Sequence, residues 1–188
     1  MMYLNNCYYV IPKAISSKIC DEIINLGESK RLKKGEILDG NQNNRSSKVS
    51  WIEDTKIKEQ IIRLVRLANR KADWDFSLTD IEPLQYTVYN KDDFYNWHID
   101  SLSDAYDNNL IRKLSFTLCL NDNYEGGLFD ISIPNPKEED NINYTLDLKR
   151  FNSGTLLVFP SFVWHRVNKV TSGTRKVLVG WTLGKQWS

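Results

Sequence analysis

Histidine is nearly absent from this 188-residue chain, which holds only two, His98 and His165. Cysteine is almost as rare: Cys7, Cys20 and Cys119 are far apart, and no CxxC pair occurs. An odd, scattered set argues against a disulfide framework or a cysteine-built zinc site, and for buried free thiols in a reducing compartment. Neither sign of charge dominates, since 25 Lys and Arg stand against 24 Asp and Glu for a net charge of +1. The basic excess that nucleic-acid binding requires is therefore missing. No apolar run is long enough to cross a bilayer. The opening stretch "MMYLNNCYYVIPKAIS" has no basic region ahead of a long apolar one, as a secretory signal would. The expectation is a cytoplasmic protein without membrane or nucleic-acid partners. The longest charge cluster, "PKEED" over 136–140, is expected on a solvated loop.

With 41% hydrophobic residues, the chain has material for one core, and residues 1–188 are read as a single domain. Its character changes near residue 80. Before that point, "SSKICDEIINLGES" offers Ser16 or Ser17 as an N-cap and sets Ile19, Ile23 and Leu26 on one helical face. "DTKIKEQIIRLVRLANRKA" starts at Asp54 and carries an apolar stripe of Ile57, Ile61, Leu64, Val65 and Ala68. A short strand, "CYYVI", precedes the first helix. The polar stretch over 39–51 reads as a candidate lid or as a plain surface loop. Residues 1–80 are thus expected to be a helical support region.

From residue 81 onward the signals are short strands with Gly, Asn and Pro between them, near 82–90, 94–99, 114–121, 128–133, 144–148, 155–159, 163–170 and 175–183. Eight such strands suggest a sandwich, jelly roll or barrel. In "LSFTLCLN", Leu114, Phe116, Leu118 and Leu120 share one face, and Ser115, Thr117 and Cys119 the other. In "LQYTVY", Leu84, Tyr86 and Val88 oppose Gln85, Thr87 and Tyr89. The apolar faces need cover, which the amphipathic helices can supply. The polar faces would then line an interior able to bind a ligand.

Within "FYNWHIDSL", His98 and Asp100 stand two residues apart and project to one side of an extended strand. That pair is either half of a metal site or a chance HxD around a hydrogen-bonded strand histidine. His165 would complete a facial triad of two imidazoles and a carboxylate, a donor set suited to Fe(II). Ten residues further on, Arg175 opens a strand on the same face as Val177, Val179 and Trp181. An unpaired cation on an apolar face is costly. Arg175 either reaches solvent or a structural carboxylate, or it presents its fork to the carboxylate of a bound acid.

Three segments, "YNKDDFYNWHID", "RKLSFTLCLNDNYEGGLF" and "GTLLVFPSFVWHRVNKVTSGTRKVLVGW", together resemble the catalytic core of the Fe(II)- and 2-oxoglutarate-dependent dioxygenases. The resemblance covers Leu84 to Leu183 and is nearest to the prolyl-hydroxylase branch, including the bacterial and viral PKHD-type hydroxylases. It implies a mainly β fold, a double-stranded β-helix (jelly roll) covered by N-terminal α-helices, with 81–188 as the catalytic core. It implies Fe(II) held by His98, Asp100 and His165, and 2-oxoglutarate held by Arg175 with Tyr89 or Thr117 beside it. O2 would be the second cosubstrate, with ascorbate as a reductant. Tyr95 and Trp181 would face the substrate, whereas Trp97 would point away from His98 into packing. The loop over 101–112 is a candidate substrate wall.

One position departs from the pattern. Cys119 stands where several animal prolyl hydroxylases place a tyrosine on 2-oxoglutarate. Asp100 is retained, unlike in the halogenase variant. The implied reaction couples oxidative decarboxylation of 2-oxoglutarate to succinate with hydroxylation of a C–H bond, in a peptidyl residue such as proline. Alternatives are hydroxylation of a small molecule, for example a free amino acid, and a non-catalytic jelly-roll binding module. Nucleic-acid dealkylation fits less, because the second arginine of that branch is Trp181 here.

Overall fold

The computed structural model describes residues 6–35, 44–101, 109–139 and 141–186. Two helices form where the apolar spacing asks for them. Helix α1 (Ser17–Glu28) starts at Ser16, whose side chain accepts from the Ile19 backbone N–H at 3.4 Å. Helix α2 (Thr55–Lys71) starts at Asp54, whose Oδ1 accepts from Ile57 at 2.9 Å. Each cap satisfies a donor that the first turn leaves open. Helix α2 buries Ile57, Ile61, Val65 and Ala68, with Leu64 partly covered beside them. On α1 the expected face is rotated: Cys20, Ile23 and Gly27 are buried, while Leu26 is exposed. Gly27 is the reason. Its lack of a side chain lets the helix lie on the Tyr86 ring, where a Cβ would come within 2.3 Å of Cγ. Its carbonyl also accepts from Ser50 Oγ at 2.8 Å.

The remaining elements are strands. The first half contributes β1 (Tyr9–Ile11), β2 (Lys33–Lys34), β3 (Arg45–Ser46), β4 (Lys48–Ile52) and β5 (Asp80–Ile81). The second half contributes β6 (Leu84–Tyr89), β7 (Phe94–His98), β8 (Leu110–Cys119), β9 (Tyr124–Gly126) and β10 (Phe129–Ile133). It continues with β11 (Ile142–Leu146), β12 (Leu156–Pro160), β13 (Trp164–Val167), β14 (Val170–Gly173) and β15 (Arg175–Lys185). Each of the eight expected strands has a counterpart, and the segment 163–170 is divided between β13 and β14. The ribbon of β9 and β14 was not foreseen.

An eight-stranded sheet runs β1-β12-β8-β15-β6-β4-β2, with β5 added on β15. A five-stranded sheet runs β11-β10-β13-β7-β3. This is the expected jelly roll. The first 80 residues are less purely helical than expected, because β1 pairs with β12 and β4 pairs with β6. Residues 45–51 are likewise largely strand and not an irregular loop: β3 adds to β7 and β4 to β6. Residues 39–43 lie outside the described residues.

The alternation in β8 and β6 sorts the chain into two apolar layers. Leu114, Phe116, Leu118, Leu84 and Tyr86 join Ile23, Ile61 and Val65 in a cluster between the helices and the large sheet. Burying each such side chain contributes about 1.5–3 kcal/mol. Cys119, Phe159, Val163, Val167 and Val177 belong to the second cluster, between the two sheets. The cleft opens within this inner layer. The Gly27–Tyr86 contact yields a stability test. Gly27→Ala should lower unfolding free energy by about 1–3 kcal/mol in urea titration, whereas exposed Leu26→Ala should stay within about 0.5 kcal/mol.

Candidate active site

The centre of the cleft is set by one strand register. In the β7–β13 pair, His165 lies directly opposite His98, and Val167 opposite Tyr95. Asp100 follows just beyond the end of β7 and is fixed by the turn between β12 and β13. The backbone N–H groups of Asp100 and Ser101 both donate to the Ser161 carbonyl at 2.9 Å. Ser161 in turn is tied to β8 through Ser115 Oγ at 3.0 Å and the Lys113 carbonyl at 3.0 Å. The "FPS" stretch thus anchors the carboxylate between the two imidazoles.

Ligand-type atoms of His98, Asp100 and His165 all lie within 4.8 Å of one another. Nε2 of His98 is 3.8 Å from Asp100 Oδ1, and Nε2 of His165 is 3.4 Å from Asp100 Oδ2. Both rings are oriented from behind. His98 Nδ1 meets the Asn96 carbonyl at 2.7 Å, and His165 Nδ1 meets the Val163 carbonyl at 2.9 Å. A proton on each Nδ1 would leave both Nε2 lone pairs directed at the carboxylate, the tautomer in which metal-binding imidazoles are held. Burial, and the neighbouring His165, push the His98 pKa down to about 3, so this imidazole is neutral at physiological pH. Burial pushes the Asp100 carboxyl upward, but His165, His98, Arg112 and the Ser115 hydroxyl outweigh it and leave its pKa lowered. A neutral His98 imidazole, the His165 ring and an ionised carboxylate at these separations suit an iron ion. Tyr95 stacks on His98 at 3.5 Å between centroids, and Phe159 packs against His165 at 4.6 Å.

Arg175 lies deeper in the same cleft, which encloses about 550 Å³. The β15 register sets Arg175 opposite Tyr89, and its guanidinium carbon sits 5.3 Å from that ring. Arg175 is 1% exposed, yet among the described residues its Nε and Nη1 have no partner; nor does Thr117 Oγ1, which also lines the cleft. A buried donor left unsatisfied costs about 1–3 kcal/mol, and more when charged. Unpaired donors around a buried cation fit the carboxylate of a bound acid. The alternatives of solvent or a structural carboxylate are not what Arg175 meets.

A family model described as the 2OG-Fe(II) oxygenase superfamily matches residues 84–183. The chain belongs to this superfamily. A PKHD-type hydroxylase from Synechococcus sp. (strain CC9311) is 42% identical over 93 residues, covering 48% of this chain and 37% of that protein. The chain therefore aligns with well under half the length of that oxygenase. The Pseudomonas putida prolyl-4-hydroxylase superposes with a TM-score of 0.72 at 19% identity, covering 97% of this chain and 95% of the other. A prolyl hydroxylase from Trichoplax adhaerens, solved with a peptide fragment of the hypoxia inducible factor oxygen degradation domain, gives 0.65 at 19% identity. That match covers 95% of this chain and 84% of the other. At these identities the two structures share the oxygenase fold.

All the sequence-selected residues except Cys119 and Trp97 line the one cleft: His98, Asp100, His165, Arg175, Tyr89, Thr117, Tyr95 and Trp181. Trp97 lies outside it, beneath Arg166 at 4.8 Å. Among the other lining residues, Trp51, Arg112, Arg45 and Gln85 were not singled out individually in the sequence. Trp51 is 43% exposed and faces Trp181 at 6.4 Å. Arg112 lies 3.9 Å over Trp181 and holds Glu82 through two bonds of 2.7 and 2.8 Å. Arg45 bonds Gln85 at 2.9 Å and covers Tyr95 at 4.8 Å. Of the expected wall over 101–112, residues 102–108 lie outside the described residues.

Because Arg175 has two unpaired nitrogens, its charge contributes little to the stability of the ligand-free fold. Arg175→Met should leave unfolding free energy in urea within about 1 kcal/mol of wild type. A loss several times larger would mark a structural cation.

Proposed function

We propose that this chain is an Fe(II)- and 2-oxoglutarate-dependent hydroxylase acting on a C–H bond of a peptidyl residue, with proline the leading candidate. One observation carries the reading: a His-Asp-His group and a buried arginine with unpaired donors share a single cleft. His98 Nε2, Asp100 and His165 Nε2 would hold the metal, and Arg175 the far carboxylate of 2-oxoglutarate, with Tyr89 and Thr117 alongside. When bound, iron and 2-oxoglutarate supply the oxidising chemistry, in which O2 is consumed and succinate and carbon dioxide leave as a C–H bond is hydroxylated.

The protein's part is to bind, orient and exclude water. The carbonyls of Asn96 and Val163 fix the two imidazoles, and the Ser161 turn fixes the carboxylate. Phe129, Phe159, Val177 and Val179 keep the deep wall apolar. Tyr95 and Trp181 would flank the substrate nearer the mouth. Trp181 Nε1 is buried and has no partner among the described residues, a donor suited to a peptide carbonyl. Trp51 and Ile99, 43% and 40% exposed, form an open apolar rim that favours an extended peptide over a small molecule sealed from water. Among the described residues, no helix is long and apolar enough to cross a membrane.

Anaerobic addition of Fe(II) and then 2-oxoglutarate should produce a weak visible charge-transfer band, absent in His98→Ala. Arg175→Met should weaken 2-oxoglutarate binding by at least about 10-fold, as loss of a charge-assisted pair implies, and leave metal affinity near wild type. Equal loss of both affinities in Arg175→Met, or no band in wild type, would remove the basis for this reading.

A further inference from the structure

The small sheet leaves one edge open. Of the four strands that end the two sheets, β2 is two lysines, β3 two residues and β1 three. Edges kept this short or this charged offer little to another chain. Strand β11 is different. It is five residues long, "INYTL", without charge, proline or glycine. It pairs with β10 in unbroken register from Phe129–Leu146 to Ile133–Ile142, and four of its five residues are exposed. Among the described residues no strand lies beyond it, so its outer side presents a row of backbone N–H and C=O groups.

The side chains of β11 sort by face. Ile142, Tyr144 and Leu146 stand opposite Ile133, Ile131 and Phe129 and share their inward side. Ile142 is nevertheless 58% exposed and Tyr144 39%. Tyr8, next to the edge strand β1 of the large sheet, meets the Tyr144 ring edge-on at 5.7 Å. Charge is divided between the ends of the strand. Before it, "PKEED" carries one Lys against two Glu and one Asp; after it, "DLKR" carries Lys and Arg against one Asp. The acidic turn is held in place, because Asn135 Oδ1 accepts from the Lys137 N–H at 3.0 Å and Asn141 Nδ2 donates to the Pro136 carbonyl at 3.2 Å. Glu138 and Glu139 are exposed. At the other end Lys149 holds Glu125 at 2.6 Å, and Arg150, 80% exposed, meets Asp147 at 3.3 Å.

We infer that β11 is a self-association edge, which pairs antiparallel with β11 of a second copy of this chain about a two-fold axis at Tyr144. Only that register keeps all five residues paired: Tyr144 faces its own copy, Asn143 faces Thr145, and Ile142 faces Leu146. Apolar side chains then meet on one face of the joined sheet and polar ones on the other. The acidic turn of each copy comes to the basic end of the other, whereas parallel pairing would set like charges together. A two-fold contact closes on itself and does not propagate. Across the ladder Tyr144 lies opposite Ile131, and Ile131 opposite His165, so one row of residues would run from cleft to cleft. A five-residue edge is a small interface, and the association is weak and concentration-dependent. The inference does not depend on the reaction proposed above.

The test is sedimentation velocity over a range of protein concentrations. Wild type should pass from monomer toward a species of twice the mass. Because residue 144 meets itself on the axis, Tyr144→Lys and Tyr144→Glu should each weaken association at least about 10-fold, by loss of an aromatic pair and gain of a like-charge one. Mixing the two variants in equal amounts should restore the dimer, since opposite charges then face each other. Glu138→Lys combined with Glu139→Lys should also weaken it, and added salt should narrow the difference from wild type. That pair of exposed changes decides the matter if the variants at 144 fail to fold. Amide hydrogen exchange over 142–146 should slow as wild-type concentration rises. A monomer at every concentration up to about 1 mM, a dimer untouched by either change at 144, or a mixture no more associated than its components would overturn the inference. So would protection of 142–146 by a proline-containing peptide while the protein stays monomeric, which would make β11 a peptide-docking edge instead.

Discussion

The geometry of this molecule depends on the register of one strand pair. Setting His165 opposite His98 in the β7–β13 ladder brings the chain's only two histidines together without help from loop flexibility. In an antiparallel pair a slip of one residue turns a side chain to the other face of the sheet. Such a slip would send one imidazole outward and replace it with Trp164 or Arg166. The inner apolar layer prevents this, because Val163, His165 and Val167 point inward together and Phe129 and Phe159 pack on them. The same burial that specifies the register keeps His98 neutral, so the fold's energetics and the chemistry of the proposed site have one cause.

A second constraint is the polarity of the cleft. The interior carries unsatisfied donors on Arg175 and Trp181 and an unsatisfied hydroxyl on Thr117, each unfavourable in the absence of a partner. Several other polar groups around the cleft are paired. Arg45 bonds Gln85 and Ser47, Arg112 bonds Glu82, and Ser115 bonds Ser161. The contrast separates residues that build the walls from residues left open toward a ligand. Family membership gives the open groups a common meaning, and the cosubstrate and peptide are proposed on their chemistry.

Much of this was legible in the sequence. Periodicity located both helices, because Ser16 and Asp54 cap them as side-chain chemistry dictates, and alternation told the inner face of β8 from the outer. The site residues were legible because strand alternation constrains faces and because rare residue types are informative. Other features were hidden for physical reasons. The rotated face of α1 depends on close approach between Gly27 and Tyr86, residues far apart in the chain. Strands β3 and β4 draw their stability from neighbours β7 and β6, not from their own polar sequence. The place of Trp51 beside Trp181 is likewise set by tertiary pairing. Cys119 looked like a loss at the cosubstrate end, and only the folded chain sets its Sγ 3.7 Å from the Tyr124 hydroxyl.

In the proposed reaction, one cleft couples consumption of a 2-oxo acid to hydroxylation of a peptide. The most direct measurement incubates the Fe(II)-loaded protein with 2-oxoglutarate and proline-containing peptides under isotopically heavy O2, and follows peptide and succinate together by mass spectrometry. The account predicts one heavy oxygen atom in the peptide and one in succinate, appearing in step. Peptides left unchanged across a broad panel, or a hydroxyl oxygen drawn from water, would contradict it.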